Sequence, residues 1–266
     1  MTGDEAFERG RAVLRGMFPA RGERATPYPP GVGDDFNRLI VELYGSVWAR
    51  PGLSLRTRSL VTVAALTALH MPEELRIHAL GALRNSVSRR ELGEVVLHVA
   101  GYAGFPTGVE GMRVLRAVFE ENPDLDPAGS TPSTPEQGTT TESLYERGVA
   151  FRQEAFGQTG RPAGNAPDEI GDDWWQFLTG TAFGAIWPRP GLALHDHSRV
   201  TLAVLQVRHM PVEFRLHLER ALGLGIARDE LAEQIMHLAL YGGFPCAVEA
   251  MRIAREVFGE GVGNRQ

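Results

Sequence analysis

The chain has 266 residues, a formal charge of −6, one cysteine, 43% hydrophobic and 23% charged residues. These values suit one large or two ordinary globular domains; they exclude bulk disorder, a fibrous chain, a disulfide framework, a cysteine-rich zinc site and a CxxC redox pair. The acidic balance speaks against a nucleic-acid partner, charges interrupt each apolar run before the roughly 18 residues of a membrane span, and acids stand where a signal peptide carries basic residues, so the expected location is the cytoplasm.

The elements read as helical from the start. Residues 4–17 form an opening helix, followed by a Pro- and Gly-containing loop over 19–33. Asp34 or Asp35 is placed to cap a second helix that runs to Trp48. Pro51 and Gly52 break it, and Ser54 opens an Ala-rich apolar helix over 54–70. Pro72 sits where a first helical turn tolerates it, with Glu73 and Glu74 at the positive end of the dipole. That helix runs to about Ser86. Ser88 and Glu91 have capping-box spacing for a fifth helix ending near Tyr102. Pro106 restarts a last one to Phe119. No strand pattern is found, and the prediction is an all-α unit of about six helices.

The chain then repeats itself. Trp48-Ala-Arg-Pro-Gly-Leu53 returns as Trp187-Pro-Arg-Pro-Gly-Leu192, and Tyr102-Ala-Gly-Phe-Pro106 as Tyr241-Gly-Gly-Phe-Pro245. Over 48–119 and 187–258 about half the positions agree without a gap. Upstream the register differs by one residue, because Gly33-Asp-Asp35 matches Gly171-Asp-Asp173. Between the copies, Asn122 to Thr141 is rich in Pro, Ser, Thr and Gly and reads as a flexible linker. The expected domains are 1–121 and 142–266, joined by 122–141 and packed as one pseudo-twofold body.

Six of the eight histidines form repeat-matched pairs: His70/His209, His78/His217 and His98/His237. Glu74 and His78 are four apart, as are Glu213 and His217, so each carboxylate can face its imidazole and raise its pKa for acid–base work. His98 and Tyr102, and His237 and Tyr241, share the same spacing. The two helices of one half then enclose a small polar pocket. Each pair also has a plain structural role open to it, as a packing histidine or an exposed intrahelical pair. His70 looks structural. The candidate catalytic residues are Glu74, His78, His98, Glu213, His217 and His237. The candidate substrate-binding residues are Arg58, Trp48 and Tyr102 with their counterparts His197, Trp187 and Tyr241; Arg56 and Arg58 suit a carboxylate, or a solvated helix start. His195-Asp-His197 replaces Arg56-Thr-Arg58. It looks metal-like, but HExxH spacing is absent and no metal is expected.

The runs Trp48 to Leu60, Glu74 to Leu83 and Tyr102 to Pro106 resemble the decarboxylase branch of the carboxymuconolactone decarboxylase family, over nearly the whole of each half. The alkylhydroperoxidase D-like peroxidases of that superfamily use CxxCxxxH; here His78 and His217 stand at the histidine, with Met71/Glu74 and Met210/Glu213 at the cysteines, so thiol chemistry is lost. The lone Cys246 reads as a small packing residue. The resemblance implies a tandem fusion of two all-helical family domains, a homo-oligomer (a dimer or trimer of the tandem chain), and cofactor-free decarboxylation of 4-carboxymuconolactone or a related ring acid. In that reaction an Arg holds a carboxylate, His78 or His98 protonates carbon and Glu74 orients the imidazole. Two other readings stay open: a cyclase or isomerase moving protons on this scaffold, and a non-catalytic helical assembly module.

Overall fold

The computed structural model describes residues 2–19, 29, 31–126, 139–158 and 167–259. Among them all regular elements are helical, and the two halves give six α-helices each in the same order. The first half holds α1 (Gly3–Met17), α2 (Val32–Leu43), α3 (Leu55–Ala68), α4 (Pro72–Arg84), α5 (Arg89–Ala103) and α6 (Phe105–Glu121). The second holds α7 (Thr141–Phe156), α8 (Gly171–Leu178), α9 (Leu194–Val207), α10 (Pro211–Gly223), α11 (Arg228–Gly242) and α12 (Phe244–Val257). This is the all-α, two-repeat architecture expected from the sequence.

Local chemistry explains most boundaries. Ser54 Oγ accepts the Thr57 amide at 3.0 Å and starts α3. Ser88 and Glu91 close the capping box: the Glu91 amide donates to Ser88 Oγ (3.2 Å) and the Ser88 amide to Glu91 Oε2 (2.7 Å). The second helix corrects the sequence reading. It begins at Val32, with Gly31 before it, and Asp34 lies inside the first turn, where its carboxylate accepts the Gly31 amide at 3.2 Å. An aspartate three residues into a helix can reach back as well as cap, and sequence does not separate the two.

The centre is built by α3 and α9. Residues 58–68 and 196–207 are buried on every side, as a helix without a polar face must be. α3 packs on α9, α11 on α3, and α5 on α9. One apolar cluster accordingly runs through both halves, joining Leu60, Val63, Val95 and Leu115 to Val200, Val204 and Leu238. Of the expected linker, Asn122 to Asp126 is tied to the start of α5. The Arg89 guanidinium donates to the carbonyls of Asn122, Pro123 and Leu125 at 2.6–3.1 Å. Residues 127–138 lie outside the described ones.

The one-residue change of register falls in a π-helical turn. α2 continues into π1 (Tyr44–Trp48) and α8 into the longer π2 (Thr179–Ile186). The Ala49 amide donates five residues back to Tyr44, and Trp187 to Ala182. A π-bulge absorbs one extra residue in a helix, and both stretches set the direction of the tryptophan that follows.

α1 and α7 cross these turns at backbone contact. A Cβ on Gly45 would lie 1.7 Å from the Ala6 carbonyl oxygen, and one on Gly184 2.0 Å from that of Leu144. Because the obstacle is backbone, Gly184→Ala must separate α7 from π2. A loss of about 1–3 kcal/mol in urea unfolding is expected, with the Trp187 fluorescence maximum shifted toward the solvated value.

Candidate functional site

The tryptophan that ends each π turn points into the other half. Trp48 Nε1 donates to the Tyr241 hydroxyl at 3.0 Å, and Trp187 Nε1 to the Tyr102 hydroxyl at 2.9 Å. Beside the first, Arg50 donates from Nε to Glu233 at 2.8 Å and Arg58 from Nη2 to the same carboxylate at 3.1 Å. Beside the second, Arg189 Nη2 donates to Glu94 at 2.9 Å. Gly52 and Gly191 make room: a Cβ there would meet Glu233 Cγ at 2.4 Å and Glu94 Cγ at 2.2 Å. The repeated Trp-x-Arg-Pro-Gly motif is therefore a clasp onto the opposite half. Glu94 and Glu233, which complete it, were not singled out in the sequence; their only signal there is that both copies keep a glutamate.

Two composite sites result. One gathers Tyr44, Trp48 and His78 of the first half with His237 and Tyr241 of the second. Trp48 stacks on His78 with centroids 5.9 Å apart, and His78 meets the edge of Tyr241 at 5.5 Å. The other gathers Phe183, Trp187 and His217 of the second half with His98 and Tyr102 of the first. Trp187 stacks on His217 at 6.2 Å, and Tyr102 meets His217 at 5.6 Å. The polar pocket expected within one half is thus corrected: His78 sits with His237 and Tyr241, and His98 with His217. The reason is the central packing, which lays α11 on α3 and α5 on α9.

The expected carboxylate–imidazole pairs are also corrected. His78 and His217 are buried, at 7% and 6% exposure, whereas Glu74 and Glu213 are exposed and make no hydrogen bond to them. Pro72 and Pro211 start their helices one turn earlier, so the glutamates lie in a first turn that leaves the packed layer. Their place is the positive end of the dipole.

The other candidates are inside. Arg58 is fully buried, donating to the Arg50 carbonyl (3.1 Å) and Glu233, and its Nη1 lies 3.3 Å from His237 Nδ1. It does not stand at a solvated helix start. Arg56 pairs with Glu91 and, at 2.9 Å, with Asp196 of the other half. His197 takes the place of Arg58, its Nδ1 lying 3.0 Å from His98 Nδ1. His195 turns away to the Leu224 carbonyl at 2.9 Å, so the HxH pair does not converge. His70 has a left-handed backbone (φ 55°) and a 2.8 Å bond to Thr107.

His98 and His237 have no exposed surface. Their Nε2 atoms lie 2.7 Å from Thr201 Oγ1 and 2.8 Å from Thr62 Oγ1. His78 and His217 keep a little exposed surface, and Tyr102 and Tyr241 are partly buried. Burial holds His98 and His237 well below the ordinary histidine pKa and raises both phenols. Burial, with Arg220 adding to it, lowers His217 to about 3. All these groups are neutral at pH 7.

His217 has a further property. Arg220 Nη1 approaches its Nε2 at 3.4 Å. A guanidinium only donates, so Nε2 carries the lone pair and Nδ1 the proton. That Nδ1–H is buried and has no acceptor.

Buried neutral histidines make stability depend on pH. Their pKa values are depressed, so between about 3 and 6.5 the unfolded chain binds more protons, and stability falls as pH falls through that window. Each contributes up to about 1.4 kcal/mol per pH unit below 6.5. Urea midpoints measured at pH 7.0 and 5.5 should drop on acidification, and less steeply in His217→Gln.

The chain is 39% identical over 119 residues to the 4-carboxymuconolactone decarboxylase of Acinetobacter baylyi, covering 44% of this chain and 88% of that protein. It is 36% identical over 124 residues to the nitrosuccinic acid decarboxylase npaB of Metarhizium robertsii, covering 46% of this chain and 83% of that one. Each relative thus spans about one of the two halves. The family model described as the carboxymuconolactone decarboxylase family matches twice, over residues 34–117 and 172–256, and the chain belongs to that family.

Proposed function

We propose that the chain is a cofactor-independent decarboxylase of a small carboxylated compound, 4-carboxymuconolactone or a related small acid. Two relatives carry decarboxylase names. The observation that carries the reading is the buried donor pair at each composite site, clearest at the second. There the Tyr102 hydroxyl accepts from Trp187 Nε1, which leaves its own proton to give, and the His217 Nδ1–H lacks an acceptor.

Loss of CO2 from such an acid leaves an electron pair that runs through the ring alkene into a carbonyl. Neutral donors aimed at that oxygen stabilise it as charge develops, in a buried setting where they count for more than in water. The electron pair then takes a proton at carbon. At pH 7 His217 is not a cationic acid in the free protein. A bound carboxylate beside it would favour the imidazolium and raise its pKa, so the acid is made by the substrate that needs it. His78 and Tyr241 hold the matching positions at the first site, while His98 and His237 lie behind the tyrosines. Glu74 and Glu213, being exposed, do not take part.

The expected result is CO2 release from 4-carboxymuconolactone. Tyr102→Phe with Tyr241→Phe, and separately His78→Gln with His217→Gln, should each lower kcat by about 10²–10³. Turnover without CO2 would move the protein to the proton-transfer class; full activity in both double variants would sink the assignment of residues.

A homo-oligomer belongs to the same proposal. Phe36 and Leu39 of α2, Phe177 of α8, Phe105 and Val109 of α6, and Phe244 of α12 are exposed apolar residues, an arrangement that marks association surfaces. Light scattering should give two or three times the chain mass of 29.1 kDa, and a value of 29.1 kDa would rule the oligomer out.

A further inference from the structure

The two composite sites differ at the corner where the first helix of each half meets the fourth. In the first half the corner is full. Met17 and Phe18 are buried there, and a Cβ on Gly81 would lie 2.7 Å from Phe18 Cε1 and 3.1 Å from Met17 Cε. Arg84 Nη1 fastens the corner through a 2.9 Å bond to the Met17 carbonyl. In the second half the repeat places Ala155 for Met17, Arg220 for Gly81 and Gly223 for Arg84. The large side chain and the clamp are gone, and a cationic side chain has entered. A cavity of about 400 Å³ lies there, lined by Ala155, Phe156, Gln158, Arg220 and Gly223, with the exposed Glu219 at its rim.

Arg220 is poorly served by the protein alone. Its guanidinium lies over Phe156, 5.0 Å from the centroid, and gives one hydrogen bond to Gln158 Oε1 at 2.6 Å. Its Nε is buried without a partner, and among the described residues it makes no ion pair. Deeper in, Arg152 is buried over the Trp175 ring at 4.6 Å and the Phe183 ring at 5.6 Å. Two cations share this corner, and burial lowers both guanidinium pKa values. A buried charge without a counter-charge is costly, and Arg220 makes no ion pair among the described residues. Here the missing group is an anion, and a guanidinium matches a carboxylate in shape and charge. The volume is that of a small-ligand pocket, and His217 lies behind Arg220, its Nε2 3.4 Å from Arg220 Nη1.

We infer that this corner is a carboxylate-binding pocket with Arg220 as its counter-charge, and that the filled corner of the first half has no equivalent, so the chain takes one small dicarboxylate where its repeat suggests two. As far as that anion is the substrate's own carboxylate, the inference rests on the decarboxylase reading. The binding itself does not.

The test is calorimetric titration of the full chain with succinate at neutral pH and low salt. One equivalent per chain is expected. Arg220→Met should weaken binding by about tenfold or more. Ala155→Met with Gly223→Arg should also abolish it, although Arg220 is intact, because the corner is refilled; circular dichroism and the thermal midpoint show that each variant folds. Two equivalents, no binding by the parent chain, or parent-like binding by both variants would overturn the pocket. The two proposals fail separately. One-site succinate binding without CO2 release removes the decarboxylase reading alone. CO2 release with an unchanged KM in Arg220→Met removes the pocket alone.

Discussion

The structure depends on one exchange between its halves: a tryptophan and an arginine from the end of each π turn reach across to a tyrosine and a glutamate on the opposite helix. Trp48 finds Tyr241 and Arg50 finds Glu233; Trp187 finds Tyr102 and Arg189 finds Glu94. Each site is assembled only when both halves are in place. The exchange also sets the polar surroundings of each phenol, whose oxygen accepts the indole N–H from the other half. Loss of Glu233 would do more than open the clasp. It would leave Arg58 buried beside His237 without its carboxylate, a cost of about 3–5 kcal/mol.

Tandem duplication gives such a clasp a freedom that two identical subunits lack. In a symmetric dimer any substitution appears at both sites. Here each site has its own residues. Tyr44 answers to Phe183, Arg58 to His197, Gly81 to Arg220 and Met17 to Ala155. These four differences lie in or beside the sites, while the clasp residues are the same in both copies.

The fold was legible because its signals are local. Ser54, Ser88, Pro72 and the Pro51-Gly52 break state where helices begin and end, and the apolar, Ala-rich run over 54–70 marks a buried helix. The repeat itself supplied the family. The site was half legible. His78, His98, His217, His237, Tyr102, Tyr241 and both tryptophans lie at the two sites, but their grouping did not follow from spacing. Residues four apart on a helix share a face only while both ends of the turn stay in the packed layer, and Glu74 and Glu213 leave it. Pairing across halves depends on how α3 meets α11 and α9 meets α5, which is a property of three-dimensional packing. Arg220 was invisible for a different reason: its counterpart is a glycine, and a search for shared residues passes over positions where the copies disagree.

The exchange of Arg58 for His197 changes the hydrogen-bonding group behind the tyrosines. Arg58 can only donate, so His237 Nδ1 at 3.3 Å accepts and its proton sits on Nε2, facing Thr62 Oγ1 at 2.8 Å. Thr62 keeps its own proton to give. At the second site His197 Nδ1 lies 3.0 Å from His98 Nδ1, and His98 Nε2 lies 2.7 Å from Thr201 Oγ1. The Thr201 hydroxyl also donates to the His197 carbonyl at 3.0 Å. Burial keeps His98 and His197 below the ordinary histidine pKa, so both are neutral at pH 7, and each imidazole has one nitrogen that donates and one that accepts. The same fold therefore sets a group that can only donate behind one histidine and a group that can do either behind its counterpart, each behind a tyrosine held by a tryptophan. A substitution at the start of α9 thus gives the two copies of one duplicated sequence chemically distinct surroundings.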